Sequence, residues 1–113
     1  MRQKTLTVTL AIALLIAAPL SRAADGKAIF SANCASCHGA NGQGTPGLAP
    51  ALKGNSFVTG KLDEVLKTVT DGRAGDQKKY KEFPVPMPAW GKQLSGADIK
   101  AVVDYLQGDL QKK

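Results

Sequence analysis

The sequence predicts an all-α fold of three to five short helices joined by long loops. Two stripes of apolar residues recur at helical spacing, Leu62-Val65-Leu66-Val69 and Ile99-Val102-Val103-Leu106. No stretch alternates apolar and polar residues in the manner of a half-buried strand. Two further stretches are too rich in glycine or proline to be regular, GANGQGTPGLAP from Gly39 to Pro50 and FPVPMPAW from Phe83 to Trp90.

The N-terminus reads as a separate element. Arg2 and Lys4 precede an apolar run, Leu6 to Leu20, interrupted by Thr7, Thr9 and Pro19. Ser21-Arg22-Ala23 then offers small residues on either side of Arg22 for cleavage after Ala23. That is the pattern of a secretory signal peptide, so 1–23 is expected to be removed and 24–113 to form one domain. A retained membrane anchor competes with this reading, but the run is shorter than the roughly 20 apolar residues a span requires. No cysteine lies near the cleavage point, which excludes a lipidated N-terminus.

The leader also changes what the charge means. The chain carries a formal +6, of which Arg2, Lys4 and Arg22 supply three with no acid to offset them, so +3 remains for the rest. With no arginine cluster interleaved with aromatics, a nucleic-acid partner is not indicated.

Within 24–113 the elements follow in order. Asp25 caps a short helix over Lys27 to Asn33, which runs into Cys-Ala-Ser-Cys-His. The Gly39–Pro50 stretch is loop. A second helix follows Lys61, with Gly72 as its C-cap, and Arg73 to Trp90 is expected to be extended or turning. Ser95-Gly96-Ala97-Asp98 has the form of a capping box, flanked by Leu94 and Ile99 at the staple positions. The helix it opens carries the Ile99–Leu106 stripe with Tyr105 beside it and closes at Gly108. Aromatic content is only 5%, and a domain of about 90 residues buries a modest core. Part of that core is expected to come from outside the polypeptide.

Both cysteines and the only histidine fall within five positions, Cys34, Cys37 and His38. On a helical turn they stand at i, i+3 and i+4, on one face. Two thiols can then bond the vinyl groups of a haem while the imidazole reaches its iron, and Cys-x-x-Cys-His is the mark of c-type haem attachment. Three other readings compete. Structural zinc needs a fourth ligand, and no further Cys or His exists. A thioredoxin-like pair belongs beside a βαβ pattern. A plain disulfide would be tolerated in an exported protein.

A single histidine leaves the second axial position of an iron to another residue. Beyond the leader one methionine remains, Met87, set between Pro86 and Pro88 and outside every apolar stripe. Core filler is the alternative for such a methionine. Flanking prolines fix the backbone, which suits a weak thioether ligand, and His/Met ligation raises a haem's reduction potential.

Taken together, "GKAIFSANCASCHG", "GLAPALKG" and "VPMPAWGKQLSGADIKAVVDYL" resemble the class I cytochromes c of bacteria, over essentially all of 24–113. The resemblance implies a cytochrome c-like fold around one haem c. Its first and last helices cross, with Gly26, Phe30 and Tyr105 placed at the crossing. It also implies that the Pro50 carbonyl accepts the imidazole Nδ1–H of His38. Ile29, Leu52, Val65, Leu66 and Leu106 could pack on the porphyrin, and Trp90 and Arg73 are further candidate haem contacts, Arg73 through a propionate. One departure is the long passage from Asp71 to Pro86, bearing Lys78, Lys79 and Lys81. It reads as a solvated loop or as a basic collar that attracts an acidic redox partner.

The function expected is that of a periplasmic electron carrier and not an enzyme, since a peroxidase would need a vacant iron face and acid–base groups beside it. The alternatives are a cytochrome subunit of a periplasmic dehydrogenase or oxidase complex, or a haem-based gas sensor if Met87 is labile. Partners should be redox proteins bound transiently over small interfaces, with no nucleic acid and no stable membrane insertion after cleavage.

Overall fold

Asp25 begins the folded chain as its sequence position suggests. Its carboxylate accepts from Lys27 N–H at 3.1 Å and Ala28 N–H at 3.3 Å and so caps α1, Gly26–Asn33. The computed structural model describes residues 24–112. The expected signal segment, 1–23, lies outside the described residues. Cys34 ends α1 with its N–H on Phe30 O at 2.8 Å and opens α2, Ala35–His38, a single turn. Then come α3, Leu62–Asp71, and α4, Gly96–Gln107. Three 3₁₀ turns complete the order, Gly75–Gln77, Trp90–Lys92 and Asp109–Gln111. The described residues contain no strand, only two isolated antiparallel bridges, Thr45 with Ala49 and Arg73 with Met87. The all-α expectation holds.

The α4 start is a complete capping box. Ser95 Oγ accepts from Asp98 N–H at 3.1 Å, and Asp98 Oδ2 accepts from Ser95 N–H at 3.4 Å. This replaces two backbone bonds that the first turn of any helix lacks.

α1 crosses α4 at Gly26. A Cβ there would collide with the Ala101 carbonyl oxygen and lie 2.9 Å from Tyr105 Cβ, so only glycine lets the two backbones meet. Phe30 then packs on Tyr105 with ring centroids 5.5 Å apart. Phe30, Val102 and Val103 are fully buried, joined by Val58, Val65, Val69, Ile99, Leu106 and Leu110. Side chains of this kind each contribute about 1.5–3 kcal/mol by leaving water. This core fixes α1, and through it the Cys34–His38 turn.

Residues 39–60 have no periodicity, and long-range bonds give them shape. Gly42 O accepts from both Leu52 N–H and Lys53 N–H, at 2.8 and 2.9 Å. Gln107 at the end of α4 donates to Val58 O and Gly60 O, at 3.1 and 3.2 Å. Gln111 donates to Leu52 O at 3.1 Å and accepts from Gly54 N–H at 2.8 Å. The C-terminal turns thus pin the 52–60 loop from behind. No helix among the described residues is long and apolar enough to cross a membrane.

Candidate functional site

An apolar cleft of about 330 Å³ opens between α2, α3, α4 and the loops at 48–58 and 78–90. Cys34, Cys37 and His38 line it together, as do Met87, Pro50, Trp90 and Arg73. The sequence-predicted site residues therefore converge on one space from segments far apart in the chain.

The cysteine-histidine turn is held by its own backbone. Cys37 N–H and His38 N–H both donate to Cys34 O, at 3.2 and 2.9 Å. His38 is half-buried, and its Nδ1–H donates to Pro50 O at 2.9 Å. With Nδ1 carrying the proton, Nε2 is left with a free lone pair. Burial lowers the imidazole pKa below its ordinary value, and the Pro50 bond opposes that in part. Neutral imidazole is the form that can bind a metal.

The Cys34 thiol is not tuned for redox exchange. Its pKa is pushed up to about 11, chiefly by burial and then by the proximity of Cys37. Reactive thiols have a lowered pKa, and burial raises that of Cys34 instead. Neither cysteine is in a disulfide. Among the described residues no group of three His, Cys, Asp or Glu side chains could hold a bare metal ion. These observations weigh against the thioredoxin, disulfide and zinc readings. An apolar cleft with two thiols, one oriented imidazole and a thioether on its walls fits a haem.

Met87 is half-buried, and its backbone is clamped. Arg73 N–H donates to Met87 O at 3.0 Å, and Met87 N–H donates to Arg73 O at 2.8 Å. The clamp depends on Gly72, the C-cap of α3, which has φ +70°. A Cβ on Gly72 would strike Met87 O and come within 2.7 Å of both Pro88 C and Ala89 N. The sequence marked Gly72 as a helix stop. Its second task, admitting the methionine segment against α3, left no local signal.

Several expectations need adjustment. Leu52, Val65 and Leu106 line the cleft, but Ile29 and Leu66 do not; both pack half-buried against the main core instead. On α3 the cleft-facing residues are Val65, Thr68 and Val69, and Leu66 is turned about 100° from Val65 on a helix of 3.6 residues per turn. Arg73 lines the cleft with its guanidinium bonded to Thr68 Oγ1 at 2.8 Å and stacked 5.0 Å from the Phe57 ring centroid.

The lysines of the long loop are engaged with the protein itself. Lys79 Nζ lies 4.7 Å from the Phe57 ring centroid, and Lys81 donates to Gly75 O and Asp76 O at 3.3 and 3.1 Å. Lys78 bonds the carbonyls of Phe83 and Pro84. Arg73, Lys78 and Lys79 line the cleft and no carboxylate among the described residues does, so the charges on its otherwise apolar wall are all positive. Sequence reasoning did not find Phe57, Tyr80 or Phe83 as cleft residues; they sit in aperiodic loops.

Comparison with known proteins agrees with this geometry. Residues 21–106 match the family described as cytochrome c oxidase, cbb3-type, subunit III. The chain is 37% identical over 90 residues to the cbb3-type cytochrome c oxidase subunit CcoP of Azospirillum brasilense, covering 74% of this chain. It spans only 27% of that relative's length. It is 39% identical over 88 residues to cytochrome c6 of Microcystis aeruginosa, covering 78% of this chain and 98% of that one. Among solved structures, cytochrome c6C from Synechococcus sp. PCC 7002 superposes with a TM-score of 0.56 at 29% identity, covering 76% of this chain and 94% of that chain.

Proposed function

This chain belongs to the class I c-type cytochromes, and on that premise we propose that it works in the periplasm as an electron carrier with His38 and Met87 as axial ligands. As a member of that family it carries covalently bound haem c. When bound, the haem supplies a one-electron Fe(III)/Fe(II) couple. The polypeptide does the rest. The thiols of Cys34 and Cys37 would hold the haem through thioether bonds, each S–H adding across one vinyl group with nothing released. Pro50 holds the His38 ring by its Nδ1–H, which orients Nε2 and raises its basicity. Met87, its backbone fixed by Arg73, would supply its thioether as the second iron ligand, and the apolar walls would exclude water. Arg73 and Trp90 are haem contacts in this reading, Arg73 through a propionate. With His38 and Met87 both bound to the iron, no position would remain for a substrate, and the molecule would pass electrons without catalysing.

The observation that carries the reading is the His38–Pro50 bond, which leaves Nε2 unprotonated in a cleft shared with Cys34, Cys37 and Met87. Export rests on the basic, apolar, then small-residue pattern of residues 1–23. Purified from a periplasmic extract, the chain is expected to begin at Ala24 and to weigh one haem more than its polypeptide. Its oxidised form should show the weak near-infrared absorption of a thioether–Fe(III) bond, absent in Met87→Ala. A colourless product at the bare polypeptide mass, or a band indifferent to Met87→Ala, defeats the reading.

The match to oxidase subunits supports a second arrangement, in which this unit delivers electrons within a cbb3-type complex. Oxygen uptake by purified oxidase, with the reduced protein as sole donor, discriminates between the two. Free carriers dock briefly, over small surfaces, and lose rate as salt rises. For a free carrier, the exposed Lys79 and Lys81 and the half-buried Lys78 would face an acidic partner. A fixed subunit would be insensitive to salt.

A further inference from the structure

The approach to Met87 has few backbone anchors of its own. Pro84, Pro86 and Pro88 have no N–H to donate, and Phe83 N–H reaches Tyr80 O only at 3.4 Å. Pro84, Val85 and Pro86 are exposed. Met87 itself is clamped by Arg73, but the turn that leads into it has little burial to hold it.

Lys78 supplies a tether there. It is half-buried on the cleft wall, and its ammonium donates to Phe83 O at 2.7 Å and Pro84 O at 3.5 Å. Three donors on a flexible stem suit two adjacent carbonyls. A bond from a charged donor is about twice as strong as a neutral one. The neighbouring lysines do something else. Lys79 rests over aromatic rings, 4.7 Å from the Phe57 centroid and 5.8 Å from that of Tyr80. Lys81 ties the far end of the loop at Gly75 and Asp76.

We propose that Lys78 is a positioning residue for Met87: by tying down the proline-alternating approach, it sets how firmly the thioether is presented to the iron. This rests on the reading of Met87 as the axial ligand. An external ligand must displace Met87 to bind, so its apparent affinity is reduced by the fraction of molecules in which the thioether stays in place.

The test is an imidazole titration of the oxidised holoprotein, followed by loss of the near-infrared band. Lys78→Met keeps the stem and removes the donor. It should bind imidazole about tenfold more tightly, the loss of one charged hydrogen bond, with the midpoint of helix unfolding little changed. Lys78→Arg keeps donor and charge and should recover most of the wild-type value. Unchanged imidazole affinity in Lys78→Met overturns the proposal. So does an equal gain in Lys79→Met, which removes a charge from the same wall but frees no carbonyl. Should Lys78→Met fail to load haem, Lys78→Leu, which also has no donor, takes its place with the same two outcomes. A band that survives in Met87→Ala fails the ligand reading itself, separately from the tether.

Discussion

Around His38 the chain is held by burial: α1 leads straight into the cysteine-histidine turn, and Phe30, Val102 and Val103 behind it are fully buried. Around Met87 the opposite holds. Pro84, Val85, Pro86 and Pro88 are exposed, and the segment is fixed by one backbone pair, a lysine tether and the space left by Gly72. Burial is spread over many contacts and fails only with the whole fold. Polar tethers are few and can fail alone. The histidine side should therefore yield only in global unfolding, while the methionine side can loosen by itself.

Removing the covalent anchor tests whether the two sides are independent at all. Val58, Val65, Val69, Val102 and Leu106 belong both to the core and to the cleft wall, so a group bound in the cleft would pack directly on the core. Cys34→Ala combined with Cys37→Ala should leave a chain without cooperative melting by circular dichroism. A sharp native-like transition in that double variant, free of haem, would show that the α1–α4 crossing stands by itself.

Phe30→Ala strikes the buried side. It should lower global stability by about 3–5 kcal/mol, the usual cost of emptying a core aromatic site. Helix unfolding and loss of the near-infrared band should shift together in denaturant. If the midpoint of helix unfolding stays where it is in the wild type, the histidine side is not what anchors the structure.

Gly72→Ala strikes the exposed side. A Cβ at φ +70° is strained and meets the Met87 carbonyl, a penalty of about 1–3 kcal/mol. Here the band should weaken or vanish at denaturant concentrations where the helices persist. Coincident loss of both would mean that the methionine segment is coupled to the core after all.

What the sequence made legible follows the same division. The Asp25 cap, the Ser95–Asp98 box and the two apolar stripes are local signals, written within four residues of where they act. Cys34, Cys37 and His38 were readable because the motif is contiguous, and Pro50 because the family resemblance pointed to it. The Arg73–Met87 pair, the Lys78 tether and the burial of Val58 and Leu110 all arise from contacts between aperiodic segments. Proline alternation says that such a segment is not helical; it does not say what it will lean on. Leu66 shows the reverse error, in which a sound helical stripe was assigned one residue too many facing the cleft.

The bare Cα of Gly26 reaches into heredity. A glycine codon has no smaller residue to mutate toward, and every replacement drives a Cβ into the Ala101 carbonyl. Geometry alone thus closes this position to every side chain.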